Sequence, residues 1–206
     1  MEYVVESFRH GELILEQTPA YNKTWSELKG IINNVTDNEI IQAHEAIDRN
    51  PMSISQAINS ILKEQFIRKG WNEESHIFQE APYVDNSTRR WRLDFAKESI
   101  SVEVAFNHGE ATAWNLLKPV LAGELNHVKK EINTEIGVII CATRELKENG
   151  GFDGAVGEFE KFLTYLKPLR NILTIPTVIV GLKAPRTFNI RRKRINGRNQ
   201  GIVNRL

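Results

Sequence analysis

Two runs of this chain, "IGVIICAT" at residues 136–143 and "TVIVGL" at residues 177–182, are almost continuously apolar and rich in β-branched residues. A branched Cβ is restrictive in a helix and packs well on a pleated surface, so each run reads as a β-strand. Neither run alternates apolar with polar, as a strand with one wet face does. Unbroken runs belong to strands covered on both faces, and a sheet of such strands demands helices above and below it.

The rest of the chain offers those helices. Residues 24–47 set Trp25, Leu28, Ile31, Ile32, Val35, Ile40 and Ile41 at the spacing of one or two amphipathic helices. Residues 50–71, "NPMSISQAINSILKEQFIRKGW", give Ser53 as an N-cap, Ile54, Ala57, Ile58, Ile61, Leu62, Gln65 and Phe66 on one helical stripe, and Gly70 as the stop. "WRLDFA" and "ISVEVAF" read as strands. Residues 110–132 read as a helical region with Pro119 as its potential interruption, and residues 154–170 as a further helix. The expected class is α/β, a central mixed β-sheet flanked by helices on both faces, built as a single domain over residues 1–206.

At 206 residues and 41% hydrophobic, the chain can bury one sizeable core. No window approaches the roughly 20 apolar residues of a membrane span, and "MEYVVESFRHGE" lacks a secretory pattern, so a cytoplasmic location is expected. The single Cys141 sits in an apolar run, where a buried inert thiol is the expectation. Net charge is +1, yet residues 183–206 carry eight of the 27 Lys and Arg and no acid, leaving 19 bases against 26 acids in the remainder. Such a segment suits a phosphate backbone, because Lys and Arg release counterions there; a solvated, partly disordered tail is the other reading.

Two acids stand where strands usually bury apolar or small side chains: Asp94 and Glu103 in "LDFAKESISVEVAF". If these strands form a hairpin turning at Glu98 and Ser99, Ala96 faces Ser101, Phe95 faces Val102 and Asp94 faces Glu103. Cβ atoms of such cross-strand neighbours lie about 5 Å apart, and like charges so placed are destabilising unless a cation lies between them. A divalent metal fits, since hard cations prefer carboxylate and carbonyl oxygen. Pairing of one acid with Arg90 or Arg92, or exposure on an edge strand, are the structural alternatives.

Asp94, an eight-residue spacer and "EVAF" resemble the active-site signature of the BglII and BstYI restriction endonucleases, a BamHI-like branch of the PD-(D/E)XK nucleases. The order of the helix ending "KGW", then "IGVII", "GEFEKFL" and "IPTVIVGL", extends the resemblance over roughly residues 51–182. It implies a homodimeric, prokaryotic type II restriction endonuclease that hydrolyses phosphodiester bonds in a short palindromic double-stranded DNA site. Asp94, Glu103 and the carbonyl of Val104 are then the ligands of Mg²⁺, with Mn²⁺ or Ca²⁺ as substitutes for binding. Glu74, three positions past Trp71, matches a polar or acidic position of the family, although a solvated acid reads equally well there.

One departure stands out. Two residues past Glu103 the superfamily has Lys and this branch has Gln or Glu, groups that can touch the attacking water; this chain has Ala105. Ala105 is an inactivating change, or Lys97 or Glu74 supplies the missing group, or a substrate phosphate does. The resemblance also makes Asn107 and His108 candidates for base edges in the major groove, and Asn149 and Asp153 members of a second recognition loop. Turn chemistry explains "NHG" as well, and glycine flexibility explains the loop. Arg186, Arg191, Arg192 and Arg194 are the phosphate candidates of the basic segment. Rival readings are a DNA-binding protein of nuclease fold without catalysis and a repair or resolvase-type nuclease of the same fold. With 8% aromatic residues and no tract interleaving them with bases, an RNA-binding module is disfavoured.

Overall fold

The computed structural model describes residues 1–84, 90–124 and 127–206. Six strands form one sheet in the order β1 (Tyr3–Phe8), β6 (Thr177–Leu182), β5 (Ile136–Ala142), β4 (Ile100–Ala105), β3 (Arg92–Lys97) and β2 (Asn72–His76). The three central strands β4, β5 and β6 run parallel, β1 is antiparallel to β6, and β2, β3 and β4 form an antiparallel meander. The two β-branched runs are β5 and β6, and every residue of both is buried. A mixed sheet covered on both faces is therefore observed as expected.

Helices α1 (Gly11–Gln17), α2 (Pro19–Asn33), α3 (Asp37–Glu45) and α4 (Ser55–Arg68) cover one face, where Leu15, Trp25, Leu28, Ile58 and Phe66 meet Val102, Val138 and Val180. Helices α5 (Thr112–Gly123) and α7 (Phe159–Leu166) cover the other, where Leu116 and Phe162 meet Ala105, Ile139 and Ile179. A short α6 (Arg144–Asn149) follows β5, capped by the Thr143 hydroxyl, which accepts from Leu146 N.

Local chemistry sets most boundaries. Pro19 opens α2, and Thr36 with Glu39 forms a reciprocal capping box that starts α3. Helix α4 starts later than Ser53 implied: its N-cap is Ile54, and the Ser53 hydroxyl bonds the Ser55 hydroxyl at 2.8 Å instead. Its C-terminus is a Schellman motif. Gly70 sits at φ +76°, Gly70 N donates to Ile67 O at 2.9 Å, and Trp71 N donates to Phe66 O at 3.1 Å. The two aromatic rings of that motif meet edge to face at 5.1 Å.

Three expectations on elements need correction. The helical region at residues 110–132 ends as helix at Gly123, and residues 127–132 are irregular; Leu125 and Asn126 lie outside the described residues. Pro119 does not interrupt α5; its ring instead packs so closely on Gly137 that a Cβ there would lie 2.7 Å from it. The helix at residues 154–170 shortens to α7, after a turn at Gly154 and isolated bridges at Val156 and Glu158. Residues 183–206 are not a loose tail. They form a hairpin, β7 (Phe188–Ile195) and β8 (Arg198–Arg205), turning at Asn196 and Gly197 with φ +50° and +80°. Phe188 is fully buried, and the hairpin docks through Gly201, whose carbonyl lies 2.8 Å from His44 Nε2 and whose N–H donates to Pro51 O at 3.2 Å. Among the described residues no helix is long and apolar enough to cross a membrane.

Candidate active site

The β3–β4 hairpin turns at Glu98 and Ser99 and pairs Lys97 with Ile100, Ala96 with Ser101 and Phe95 with Val102, the register anticipated above. The next rung would join Asp94 to Glu103, and there the backbone ladder lapses. Val104 N donates to Asp94 Oδ2 at 2.7 Å, and Asp94 N donates to Glu103 Oε1 at 3.3 Å. Each carboxylate thus takes a main-chain donor that a regular ladder would leave to a carbonyl, and the exchange holds the two acids side by side. The β2–β3 ladder skips a rung at the same level, between the Glu73–Phe95 and Ser75–Leu93 pairs. Glu74 occupies the gap at φ +49°, a sparsely populated region for a residue with a Cβ. Glu74, Asp94 and Glu103 therefore lie in register across three neighbouring strands.

The acids differ in what surrounds them. Asp94, Glu74 and Val104 line a cleft of about 230 Å³ whose rim carries Asn59 and Lys63. Glu103, only 2% exposed, points with Ser101 and Ala105 toward α5. There Lys118 Nζ lies 2.5 Å from Glu103 Oε2, and Lys118 is itself 8% exposed. Reasoning from sequence missed this lysine. The available signal was a cation amid the buried Leu116, Pro119 and Val120 of α5.

Burial raises the pKa of Asp94, with Lys118 and the Val104 N–H opposing the rise and Glu74 adding to it. Glu103 is pushed up to about 8, first by burial and then by Asp94, against the pull of Lys118. Two adjacent buried acids resist carrying two negative charges, and a divalent cation between them would reverse that balance. The donor set fits a hard cation: two carboxylates and the Val104 carbonyl, with water filling other positions. No group of three or more His, Cys, Asp or Glu close enough to hold an ion occurs among the described residues. Glu74 in particular directs Oε2 to Arg92 Nη1 at 3.2 Å.

The other candidates distribute over the same end of the molecule and beyond it. Ala105 is buried with its methyl in the α5 interface. Lys97, the proposed substitute, is committed elsewhere, donating to Glu27 Oε1 and to Lys69 O, each at 2.7 Å. Asn107 Oδ1 accepts from Asn115 Nδ2 at 3.0 Å, and its carbonyl accepts from Gly157 N at 3.1 Å. His108 is exposed at the start of a 3-10 turn, Gly109–Ala111. Gly109 N donates to Ala155 O at 2.7 Å, so this loop is tied to the one holding Asp153, whose Oδ1 accepts from Ala155 N at 2.8 Å. Asn149 is exposed at the end of α6. On the hairpin, Arg192 Nη2 reaches Phe152 O at 2.9 Å and Gly151 O at 3.3 Å, and Arg194 Nε reaches Gly197 O at 3.4 Å. Arg191 projects to the exposed side. Arg186 stands apart: it pairs with Glu2, and its N–H donates to Asp37 Oδ2 at 3.0 Å.

Comparison with known proteins follows the same outline. The chain superposes on a crystal structure of restriction endonuclease BglII complexed with a DNA 16-mer with a TM-score of 0.65 at 16% identity, covering all of both chains. On free BglII the TM-score is 0.57 at 15% identity, again over both whole chains. No curated protein sequence matches. At such identities the superpositions establish the fold alone. The family profile described as restriction endonuclease BglII/BglIII matches residues 3–182, a span that holds all six sheet strands and both acids. By that match the chain belongs to the BglII/BglIII family of restriction endonucleases.

Proposed function

We propose that this chain, a site-specific deoxyribonuclease by its family, is a type II restriction endonuclease of a restriction-modification system, acting as a homodimer on a short palindromic double-stranded DNA site and depending on Mg²⁺. The observation that carries this reading is the lapse of the β3–β4 ladder, which sets the Asp94 and Glu103 carboxylates beside each other. Asp94, Glu103 and the Val104 carbonyl would hold the ion. When bound, a divalent metal polarises a phosphoryl oxygen and lowers the pKa of a water.

The chain's own residues do the rest. Asn107 and His108 would meet base edges, with Asp153 on the adjoining loop and Asn149 farther along. Arg191, Arg192 and Arg194 supply phosphate contacts that position the duplex without reading it. Arg186 is held by Glu2 and Asp37, which weakens its claim to a phosphate. The solved BglII neighbour holds a DNA 16-mer, which supports a duplex as ligand here. A second reading, a DNA-binding protein without catalysis, draws on Ala105, whose methyl can neither accept a proton nor orient a water.

A supercoiled plasmid incubated with Mg²⁺, and a gel shift with Ca²⁺ in its place, separate the readings. Discrete fragments are expected, and Asp94→Asn should abolish both cleavage and the tightening of DNA binding by Ca²⁺. An intact plasmid with a metal-independent shift would leave only the binding protein, and a smear would mean cutting without sequence choice.

A further inference from the structure

Position 105 shares its strand face with Glu103, and that face packs on α5. Ala105 leaves the space beside Glu103 short of a polar group, and Lys118 reaches toward it from the helix with Nζ 2.5 Å from Glu103 Oε2. Its charge acts on Asp94 as well. Burying an ammonium in an apolar helix face has no stability rationale of its own, because an apolar side chain of similar length packs there without losing hydration. The ion pair with Glu103 is what the position offers.

Building on the nuclease reading, we propose that Lys118 is a catalytic residue of this chain, supplying from α5 the group that the strand lacks at Ala105. In the hydrolysis the water oxygen bonds to phosphorus as the bond from phosphorus to the leaving 3′ oxygen breaks. The water gives up a proton to solvent, and the 3′ oxygen takes one from solvent. Lys118 stays protonated throughout; its N–H groups orient the attacking water against Glu103 and offset the charge that grows on the phosphoryl oxygens. The competing explanation is a structural counter-ion that holds Glu103 and touches nothing that reacts.

Moving the lysine distinguishes the two. Parent, Lys118→Met and the double variant Ala105→Lys/Lys118→Met are compared for single-turnover cleavage in Mg²⁺, DNA affinity in Ca²⁺ and thermal melting. Loss of one such donor costs about 10² to 10³ in rate, so Lys118→Met should cut slower by that factor while keeping its affinity for DNA. The double variant, with the ammonium returned to the strand, should recover much of the lost rate. Lys118→Met cutting at the parent rate overturns the proposal. So does a double variant that folds and binds DNA yet does not cut. If Lys118→Met fails to fold, a double variant that folds and cuts supports the proposal, and one that also fails to fold makes the lysine structural and overturns it. A parent that does not cut overturns it too, and Ala105→Gln then judges the nuclease reading separately: restored cleavage keeps that reading, continued inactivity removes it.

Discussion

Glu103 concentrates the electrostatic tension of the site. In the folded chain it holds its proton up to about pH 8, whereas its ordinary value is 4.5, so between these limits the folded state binds more protons than the unfolded one. Stability then falls as pH rises through that window, which is the sign for an acid whose folded pKa is raised. Asp94 shifts in the same direction. Denaturant unfolding in a chelator across pH 5 to 8 should show this fall, and Glu103→Gln should flatten most of the difference from the parent. Saturating Ca²⁺ should flatten it as well, because an ion that needs both carboxylates ionised adds stability as the pH rises. A parent whose metal-free stability rises with pH relative to Glu103→Gln would mean that burial is not what governs this carboxyl.

The element that changes most on seeing the fold is the basic C-terminal segment. Its strand β7 divides its residues by parity: Phe188 and Ile190 are buried, and Arg192 on the same side bonds the 151–152 carbonyls. Arg191 and Lys193 point outward. Deleting residues 183–206 would remove a fully buried phenylalanine along with the charges, and loss of such a side chain costs about 3 to 5 kcal/mol. A deletion would therefore mix folding with binding. The double variant Arg191→Ala/Lys193→Ala avoids this. It should melt like the parent, weaken all DNA sequences equally and reduce the slope of log affinity against log salt by roughly 1 to 2. An unchanged slope would show that this face of the hairpin does not meet phosphate.

Asp94 and Glu103 give each chain a single proposed metal-binding pair, whereas a palindromic duplex presents two scissile bonds related by a two-fold axis. Two copies of the chain, related by the same symmetry, match that target. Sedimentation with a short cognate duplex in Ca²⁺ should therefore give two chains per duplex, and mapped fragment ends should be symmetric about the site's centre. A single chain per duplex, cutting one strand at asymmetric positions, would refute the dimeric reading.

What the sequence determined by itself is what local side-chain pattern can carry. The β-branched runs became β5 and β6, buried throughout, because an apolar strand with no polar side has no face to give to water. The hairpin register followed from a tight turn and the two-residue period of strands, and it brought Asp94 and Glu103 together one step beyond the last paired rung. Asn196–Gly197 is a local turn signal of the same kind, and the β7–β8 hairpin turns there, although residues 183–206 were expected only as a basic segment or a loose tail. Only the tertiary structure decided the rest. Glu74 joins the row of acids because β2 pairs with β3 around a skipped rung, and β1 closes the far edge against β6 across nearly the whole chain. Lys118 meets Glu103 because Pro119 seats on Gly137 and sets the rotation of α5 over the sheet. Those relations depend on which helix face the core accepts, and complementary packing between distant segments, not any local spacing, chooses it.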